Sequence, residues 1–286
     1  MKKETWVIRF LYGTVTGRFL LKILIRPSFS KNVGKFLDSR LSGWIVPLFV
    51  KGNRIDMRQY EKKTYRSFND FFTRKRCIER TDFSPEYLIS PCDGYLSVYP
   101  VGENQTYRIK HVEYDLGGLL KDETLAEQFS GGLCLIFRLT PRNYHRYCYI
   151  YSGSLEGTKT IPGKLHCVRP IACTSVPVFI ENSREYTRLY SPRLGTVIQM
   201  EVGALLVGKI RNAPYQEYVL QGMEKGCFAF GGSTVVVLVQ RGKVHIEPYI
   251  LQNTERGIET KVEKGEKVCT IQKLIGEEQK ENIFCS

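Results

Sequence analysis

The sequence predicts a mainly β protein of the α+β class, with a sandwich- or barrel-like β domain preceded by amphipathic helices. Beyond about residue 85, short β-branched and aromatic runs recur between Gly, Pro or Asn residues, which is typical of a sandwich or barrel. The first fifty residues instead show helical spacing of apolar residues. The chain has 286 residues, 42% of them hydrophobic, so it can bury a sizeable core and wholesale disorder is excluded.

The amino-terminal segment is amphipathic. Pro27 ends its first apolar pattern, and a second apolar stretch, residues 41–50, carries Trp44. Basic amphipathic segments can lie in a membrane interface. A helix packed on its own domain has the same pattern, and the spacing alone favours this second interpretation. We expect a helical region over residues 1–75 and a β-rich domain over 76–286. The helically spaced residues are Ile8, Leu11, Tyr12, Val15, Phe19 and Ile23.

The β-rich part contains six clear strand patterns. Each is a short β-branched or aromatic run, and most are bounded by turn residues. Leu116–Phe129 is the one helical candidate in this part of the chain. The predicted strands are Tyr95–Val101, Leu133–Leu139, Tyr147–Tyr151, Val176–Ile180, Val197–Val202 and Ser233–Val239.

Charge, cysteine content and the lengths of the apolar runs limit the classes of protein that the sequence can encode. The net charge of +13 indicates an anionic partner, either nucleic acid or an acidic membrane surface. The nine cysteines form no C-x-x-C pair, so we expect free thiols rather than a zinc site or a disulfide framework. No uncharged run reaches the ~18 residues that a membrane span needs. Basic residues interrupt the amino-terminal apolar pattern, which excludes a secretory signal.

Three stretches contain residue types suited to catalysis. Asp93 precedes a predicted strand in SPCDGYLSV, His145 lies in TPRNYHRYC, and Ser233 opens a strand in FAFGGSTVVV. Taken singly, they read as a turn, a structural histidine and a tight turn. Together they can form a relay in which the histidine takes the serine proton and the aspartate holds the imidazole.

A serine in this setting can also attack its own chain. A glycine before the serine leaves the preceding carbonyl open to attack. Attack at Gly232–Ser233 would give an ester, and elimination followed by hydrolysis would leave a pyruvoyl group with loss of ammonia. Such a carbonyl can form a Schiff base with an amine and act as an electron sink. Spacing by itself does not select this outcome.

In order and context, these stretches resemble the hallmark segments of the phosphatidylserine decarboxylase family. The resemblance covers about residues 60–275, and several independent motifs carry it. The family's cleavage motif is usually Leu-Gly-Ser-Thr, whereas this chain has the variant Gly-Gly-Ser-Thr, which keeps the Gly–Ser bond. The supporting blocks read SFNDFFTR, IKHVEYDLGGLL, IPGKLHCVRPIA, NSREYT and IQMEVGALLVGKI.

The resemblance implies an enzyme that converts phosphatidylserine to phosphatidylethanolamine. Asp93, His145 and Ser233 match the self-cleavage relay, and cleavage after Gly232 would give chains of residues 1–232 and 233–286. Ser233 would become a covalent pyruvoyl group that forms a Schiff base with the substrate, with no pyridoxal phosphate and no metal. The partners would be an anionic phospholipid and a membrane surface, not nucleic acid. The protein would then be peripheral on the cytoplasmic face of the cell membrane, as a heterodimer of its two chains or a higher oligomer.

One departure from the family concerns the second histidine. Many members carry H-x-x-H, whereas this chain reads H-R-Y-C, so that Cys148 replaces the second imidazole. Either His145 serves both cleavage and decarboxylation, or another group substitutes. His166 in GKLHCV is our candidate, and a Cys148 thiol could also donate a proton. His111 and His245 lack motif support and are expected to be structural or at the surface.

Three alternative functions remain open from the sequence. A serine hydrolase would use the same relay on an external substrate, but its usual G-x-S-x-G nucleophile motif is absent around Ser233. A lipid- or nucleic-acid-binding module would explain the charge but not the order of the three motifs. The third alternative is a related decarboxylase that acts on another serine-containing phospholipid, such as an ether lipid.

Overall fold

The computed structural model describes residues 6–81, 83–109, 111–173, 176–205, 209–230 and 233–272. Its helices are α1 (Trp6–Gly13), α2 (Val15–Leu24), α3 (Pro27–Asp38), α4 (Ile45–Asn53), α5 (Phe68–Phe72), α6 (Leu116–Leu120), α7 (Glu123–Glu127), α8 (Pro170–Cys173), α9 (Val178–Glu181) and α10 (Pro248–Glu255), with short 3₁₀ helices at Arg40–Ser42 and Met57–Gln59. Its strands are β1 (Tyr87–Ile89), β2 (Gly94–Pro100), β3 (Thr106–Ile109), β4 (Val112–Asp115), β5 (Leu133–Leu139), β6 (Arg146–Cys148), β7 (Gly153–Ile161), β8 (Arg184–Ser191), β9 (Gly195–Val202), β10 (Ile210–Asn212), β11 (Tyr218–Val219), β12 (Glu224–Phe228), β13 (Ser233–Val239), β14 (Val244–Ile246), β15 (Thr260–Val262) and β16 (Lys267–Ile271).

An eight-stranded antiparallel sheet forms the centre of the molecule, in the order β11-β7-β8-β9-β13-β5-β2-β15. β13 lies in its interior between β9 and β5. All seven residues of β13 are buried, so both of its faces are covered. A strand covered on both faces reads as a continuous apolar run, which explains the sequence STVVVLV. A sheet of β10, β12 and β6, a sheet of β1, β16 and β14, and the β3–β4 hairpin accompany it.

The sheet separates two apolar cores. On one face, Val236 and Leu238 pack in a cluster that also includes residues of α1 and α6. On the other face, Val235 packs in a cluster with Tyr147 of β6 and Phe228 of β12. The small β10-β12-β6 sheet therefore covers this second face of the large sheet. The prediction of a mainly β fold with amino-terminal helices is confirmed.

The amino-terminal region folds as separate helices rather than one. Thr14 has an extended backbone and its side chain accepts a hydrogen bond from the Gly17 amide, so it caps α2 and separates it from α1. A Cβ atom at Gly17 would lie 1.9 Å from the Phe10 carbonyl oxygen, so only glycine permits this close approach of α1 and α2. No described helix combines the length and apolarity that crossing a membrane requires.

The strand predictions were correct at the centre of the sheet and wrong over residues 149–151, because β6 ends at Cys148, and over residues 176–180. Ser233–Val239 and Leu133–Leu139 form β13 and β5 with the predicted bounds. The run 176–180 is not a strand: Pro177 precedes α9, and its carbonyl accepts the Ile180 amide in a helical turn. The predicted helix over 116–129 is two helices, because Lys121 adopts a left-handed conformation with φ 52°.

Candidate active site

Ser233 is the first residue of β13 and is fully buried. It lies opposite Leu139, the last residue of β5, and its side chain faces the core beneath the small sheet. Its hydroxyl oxygen has no hydrogen-bond partner among the described residues. Gly231 and Gly232, on the other side of the expected cleavage point, lie outside the described residues. A buried serine whose hydroxyl has no partner among the described residues is available to react with its own chain.

His145 lies in the loop after β5, where it approaches the segment that leads to Ser233. Its carbonyl accepts the Phe228 amide at 3.0 Å, and its Nδ1 lies 2.9 Å from the Asn143 carbonyl oxygen. The ring centroid of Phe72 is 4.1 Å from the imidazole and 5.2 Å from that of Phe230. Phe230 precedes Ser233 by three residues. The fold therefore brings together the histidine and serine motifs.

Asp93 immediately precedes β2, on the far side of β5 from Ser233. The ladder of β2 with β5 begins at Tyr95, opposite Arg138, so the aspartate lies near the carboxyl end of β5. Two strand spacings separate β2 from β13, which is about 10 Å. Asp93 receives hydrogen bonds from the Arg76 guanidinium at 2.6 Å and from the Lys264 amide at 3.0 Å. A direct Asp93–His145 contact is not among the described interactions and stays a prediction.

Charged side chains surround Asp93 and line a cavity of about 380 Å³. The Arg76 guanidinium lies 4.7 Å from the centre of the Tyr144 ring, and the Tyr144 hydroxyl donates to Glu79 at 2.9 Å. Lys264 forms an ion pair with the same glutamate. Burial, together with the Glu79 carboxylate, raises the pKa of Tyr144. The cavity therefore offers both cationic and anionic groups one residue away from His145.

His166 lies at a different place, in the loop before α8. Its Nδ1 is 3.4 Å from the Tyr12 hydroxyl of α1, and its Nε2 is 3.3 Å from a Glu181 carboxylate oxygen. Burial lowers the pKa of the imidazole, and the glutamate partly opposes this shift. The neighbouring Cys167 packs in the core on the α1 side of the sheet. The structure therefore couples His166 to the amino-terminal helices and shows no contact between it and His145.

Cys148, which replaces the family's second histidine, is fully buried in β6. Its thiol donates to the Pro91 carbonyl oxygen at 3.5 Å. Burial raises the pKa of the thiol to about 12. A thiol that holds its proton so firmly is a poor acid–base group near neutral pH. None of the eight cysteines in the described part of the chain forms a disulfide, and Cys285 lies outside it.

A buried ion pair that the sequence did not predict lies one strand away from Ser233. Glu201 in β9 and Lys225 in β12 are both fully buried and lie 2.5 Å apart. The Asn212 side chain also donates to the same Glu201 oxygen, Oε2, at 3.2 Å. Burial raises the pKa of Glu201, and Lys225 opposes the shift. The available signal was a glutamate inside an otherwise buried strand, where an unpaired charge is too costly to bury.

His111 and His245 take no part in this arrangement and lie exposed on the surface. Within the residues that the structure covers, no group of three His, Cys, Asp or Glu side chains could hold a metal ion.

Comparison with known proteins identifies the family. Residues 68–270 match the family described as phosphatidylserine decarboxylase. The phosphatidylserine decarboxylase proenzyme 2 of Clostridium acetobutylicum is 46% identical over 264 residues, which cover 91% of this chain and 90% of that protein. The phosphatidylserine decarboxylase proenzymes of Clostridium novyi and Ruminiclostridium cellulolyticum are each 38% identical to this chain. The matched regions cover 92% of this chain in both cases, and 92% and 90% of the two relatives. The chain belongs to the phosphatidylserine decarboxylase family.

Proposed function

We propose that the protein is a self-processing phosphatidylserine decarboxylase that forms phosphatidylethanolamine. The chain cuts itself between Gly232 and Ser233, which gives a large chain of residues 1–232 and a small chain of residues 233–286. The observation that carries the proposal is the buried, unpartnered hydroxyl of Ser233 at the start of an interior strand. The nearby His145 loop, in a chain of this family, supplies the group that activates it.

In the cleavage step, His145 takes the proton of the Ser233 hydroxyl, and the oxygen attacks the Gly232 carbonyl. Asp93 supplies the negative charge that supports the protonated imidazole, with Arg76 and the Lys264 amide fixing its carboxylate at 2.6 and 3.0 Å. These two contacts hold the carboxylate in place and leave it capacity to accept a further hydrogen bond from the imidazole. His166 is our candidate for the proton transfer that accompanies decarboxylation.

The surroundings of Ser233 fit a covalent pyruvoyl group. β13 stays paired with β5 and β9 after cleavage, so the new terminus is held rigidly within the sheet. Once formed, the group supplies an electrophilic carbonyl that binds the substrate amine and accepts the electron pair released with carbon dioxide. The buried site excludes bulk water from this position, and neither pyridoxal phosphate nor a metal is required.

Membrane docking is the second part of the proposal. The amino-terminal helices expose large apolar side chains that a water-soluble surface would ordinarily bury: Trp6 is 75%, Phe19 70% and Trp44 66% exposed. Basic residues lie among them, as in helices that bind an anionic membrane interface. This arrangement supports peripheral binding to an anionic membrane, from which the protein would take its phospholipid. We assign it to the cytoplasmic face of the cell membrane, as the family resemblance implies.

The decisive experiment is electrophoresis with intact mass measurement of the purified protein. We expect two fragments, with the 233–286 chain blocked at its amino terminus, and a Ser233→Ala variant that stays intact. Borohydride reduction with substrate should attach lipid to the small chain, and activity should survive chelators and removal of pyridoxal phosphate. An uncut chain with full decarboxylase activity would refute the proposal. Ether-linked and diacyl serine lipids, assayed side by side, decide the substrate subclass.

A further inference from the structure

The Glu201–Lys225 pair lies on the same side of the large sheet as the Ser233 side chain. Glu201 is directly opposite Val235 in the β9–β13 ladder, and directly opposite residues of a ladder share one face. Ser233 precedes Val235 by two residues, so it points to that face as well. Glu201 and Ser233 are therefore diagonal neighbours on adjacent strands, with about 7 Å between their backbones. The glutamate side chain therefore extends over the same face of the sheet as the serine side chain.

Each of the two residues has a buried oxygen without a partner. The Ser233 hydroxyl oxygen and Glu201 Oε1 have no hydrogen-bond partner in the described part of the chain. The other glutamate oxygen, Oε2, binds Lys225 and Asn212, which holds the carboxylate in place and leaves Oε1 directed elsewhere. A buried ion pair seldom stabilises a fold more than apolar residues of the same size would. An unused carboxylate oxygen on the same sheet face as an unused serine hydroxyl thus indicates chemistry rather than stability.

Formation of the pyruvoyl group needs two proton abstractions in sequence. In the first step, the Ser233 oxygen adds to the Gly232 carbonyl, the C–N bond breaks, and the serine proton passes through His145 to the released amine. In the second step, a base removes the proton on the Ser233 α-carbon. The Cβ–O bond then breaks, and Gly232 leaves as a carboxylate. Water finally replaces the nitrogen of the dehydroalanine, which departs as ammonia.

We propose that Glu201 is the base of the second step and removes the Ser233 α-proton from the ester. This inference rests on the proposed self-cleavage. Lys225 is a positioning residue, because its ammonium holds Oε2 and keeps the carboxylate ionised. Burial raises the pKa of the Glu201 carboxyl, which strengthens it as a base. The Cys148 thiol, with a pKa of about 12, holds its proton near neutral pH and does not supply this base.

The test uses Glu201→Gln in the full-length chain, because glutamine keeps the shape and loses the basicity. The variant should form the ester and stop there, with elimination slowed about 100-fold or more. Hydroxylamine cleaves esters, so it should split this variant and leave a small chain whose first residue, Ser233, can be sequenced. The wild type instead gives a small chain blocked to sequencing. His145→Ala should give no fragments with or without hydroxylamine, because its block precedes the ester.

Glu185→Gln is the matched control. Glu185 lies opposite Glu201 on β8 and binds the same Asn212, but it is one strand farther from Ser233. This control should mature like the wild type. A Glu201→Gln variant that gains a blocked small chain at the wild-type rate overturns the assignment. The assignment is also overturned if the Glu201→Gln variant has the same melting temperature as the control but is not cleaved by hydroxylamine.

The Glu201→Gln variant leaves the buried Lys225 ammonium without its carboxylate partner. A second variant, Glu201→Gln with Lys225→Met, removes that ammonium as well. It should show the same hydroxylamine-sensitive block, and normal maturation of this variant would overturn the proposal. If the wild type itself never cleaves, the proposed function fails. If the wild type cleaves and both variants mature normally, only the role of Glu201 fails.

Discussion

The amino-terminal helices provide the most quantitative test of membrane docking. Arg9, Arg18, Lys22 and Arg26 are all exposed on or beside α1 and α2. Replacing all four with glutamine removes four positive charges and leaves the apolar residues of the same helices in place. We expect weaker binding to anionic vesicles, because these charges attract the negatively charged leaflet.

The expected loss follows from the number of exposed charges. Each Lys or Arg near an anionic surface contributes about 1 kcal/mol, so four contribute about 4 kcal/mol. At 1.4 kcal/mol for each tenfold change, binding should weaken by about a thousandfold at low ionic strength. The loss should shrink at high salt, because the screening length falls from ~10 Å at 0.1 M to ~3 Å at 1 M.

The assay is co-sedimentation with vesicles that contain or lack phosphatidylserine, at both salt concentrations. The matched control replaces Arg108, Arg241, Arg256 and Lys261 with glutamine; these are exposed basic residues outside the amino-terminal helices. It changes the net charge equally and should bind like the wild type. Equal binding by the wild type and the α1–α2 variant, or an equal loss in the control, would show that the helices do not dock through their charge.

Three further predictions concern stability and processing. Burial lowers the pKa of His166 below its ordinary 6.5, so the stability that depends on the neutral ring is present above pH 6.5 and is lost as the pH falls. The His166→Asn variant should therefore show a smaller fall in melting temperature between about pH 7 and 5 than the wild type. An unchanged pH dependence would contradict this. Gly94→Ala would place a Cβ atom 2.8 Å from the Arg138 carbonyl oxygen, so thermal or urea unfolding should show that the free energy of unfolding falls by about 1–3 kcal/mol. Gly34 has open space around it, so Gly34→Ala should show no such loss of stability. Cys148→Ser should self-cleave at the wild-type rate on a denaturing gel, because a thiol with a pKa of about 12 transfers no proton in this step, and a stalled precursor would refute that reasoning.

The candidate site shows how far sequence reasoning reached. The Asp93, His145 and Ser233 motifs were recognisable, and the fold places them around the carboxyl end of β5. Glu201 was quoted within a family block but not singled out as functional. Its significance depends on Lys225, which is 24 residues away and meets it only when the small sheet packs on the large one.

What the sequence determined by itself was the local pattern. The bounds of β13, the amphipathic character of the amino-terminal helices and the catalytic residue types all follow from neighbouring residues, because period and turn chemistry are local properties. Pro177 already marked the failed strand at residues 176–180, since its ring favours a helical start over a ladder position. The tertiary structure alone decided which charges meet in the core. Asp93 pairs with Arg76, and Glu201 with Lys225, because a buried charge needs a partner, and only the folded chain determines which partner is within reach.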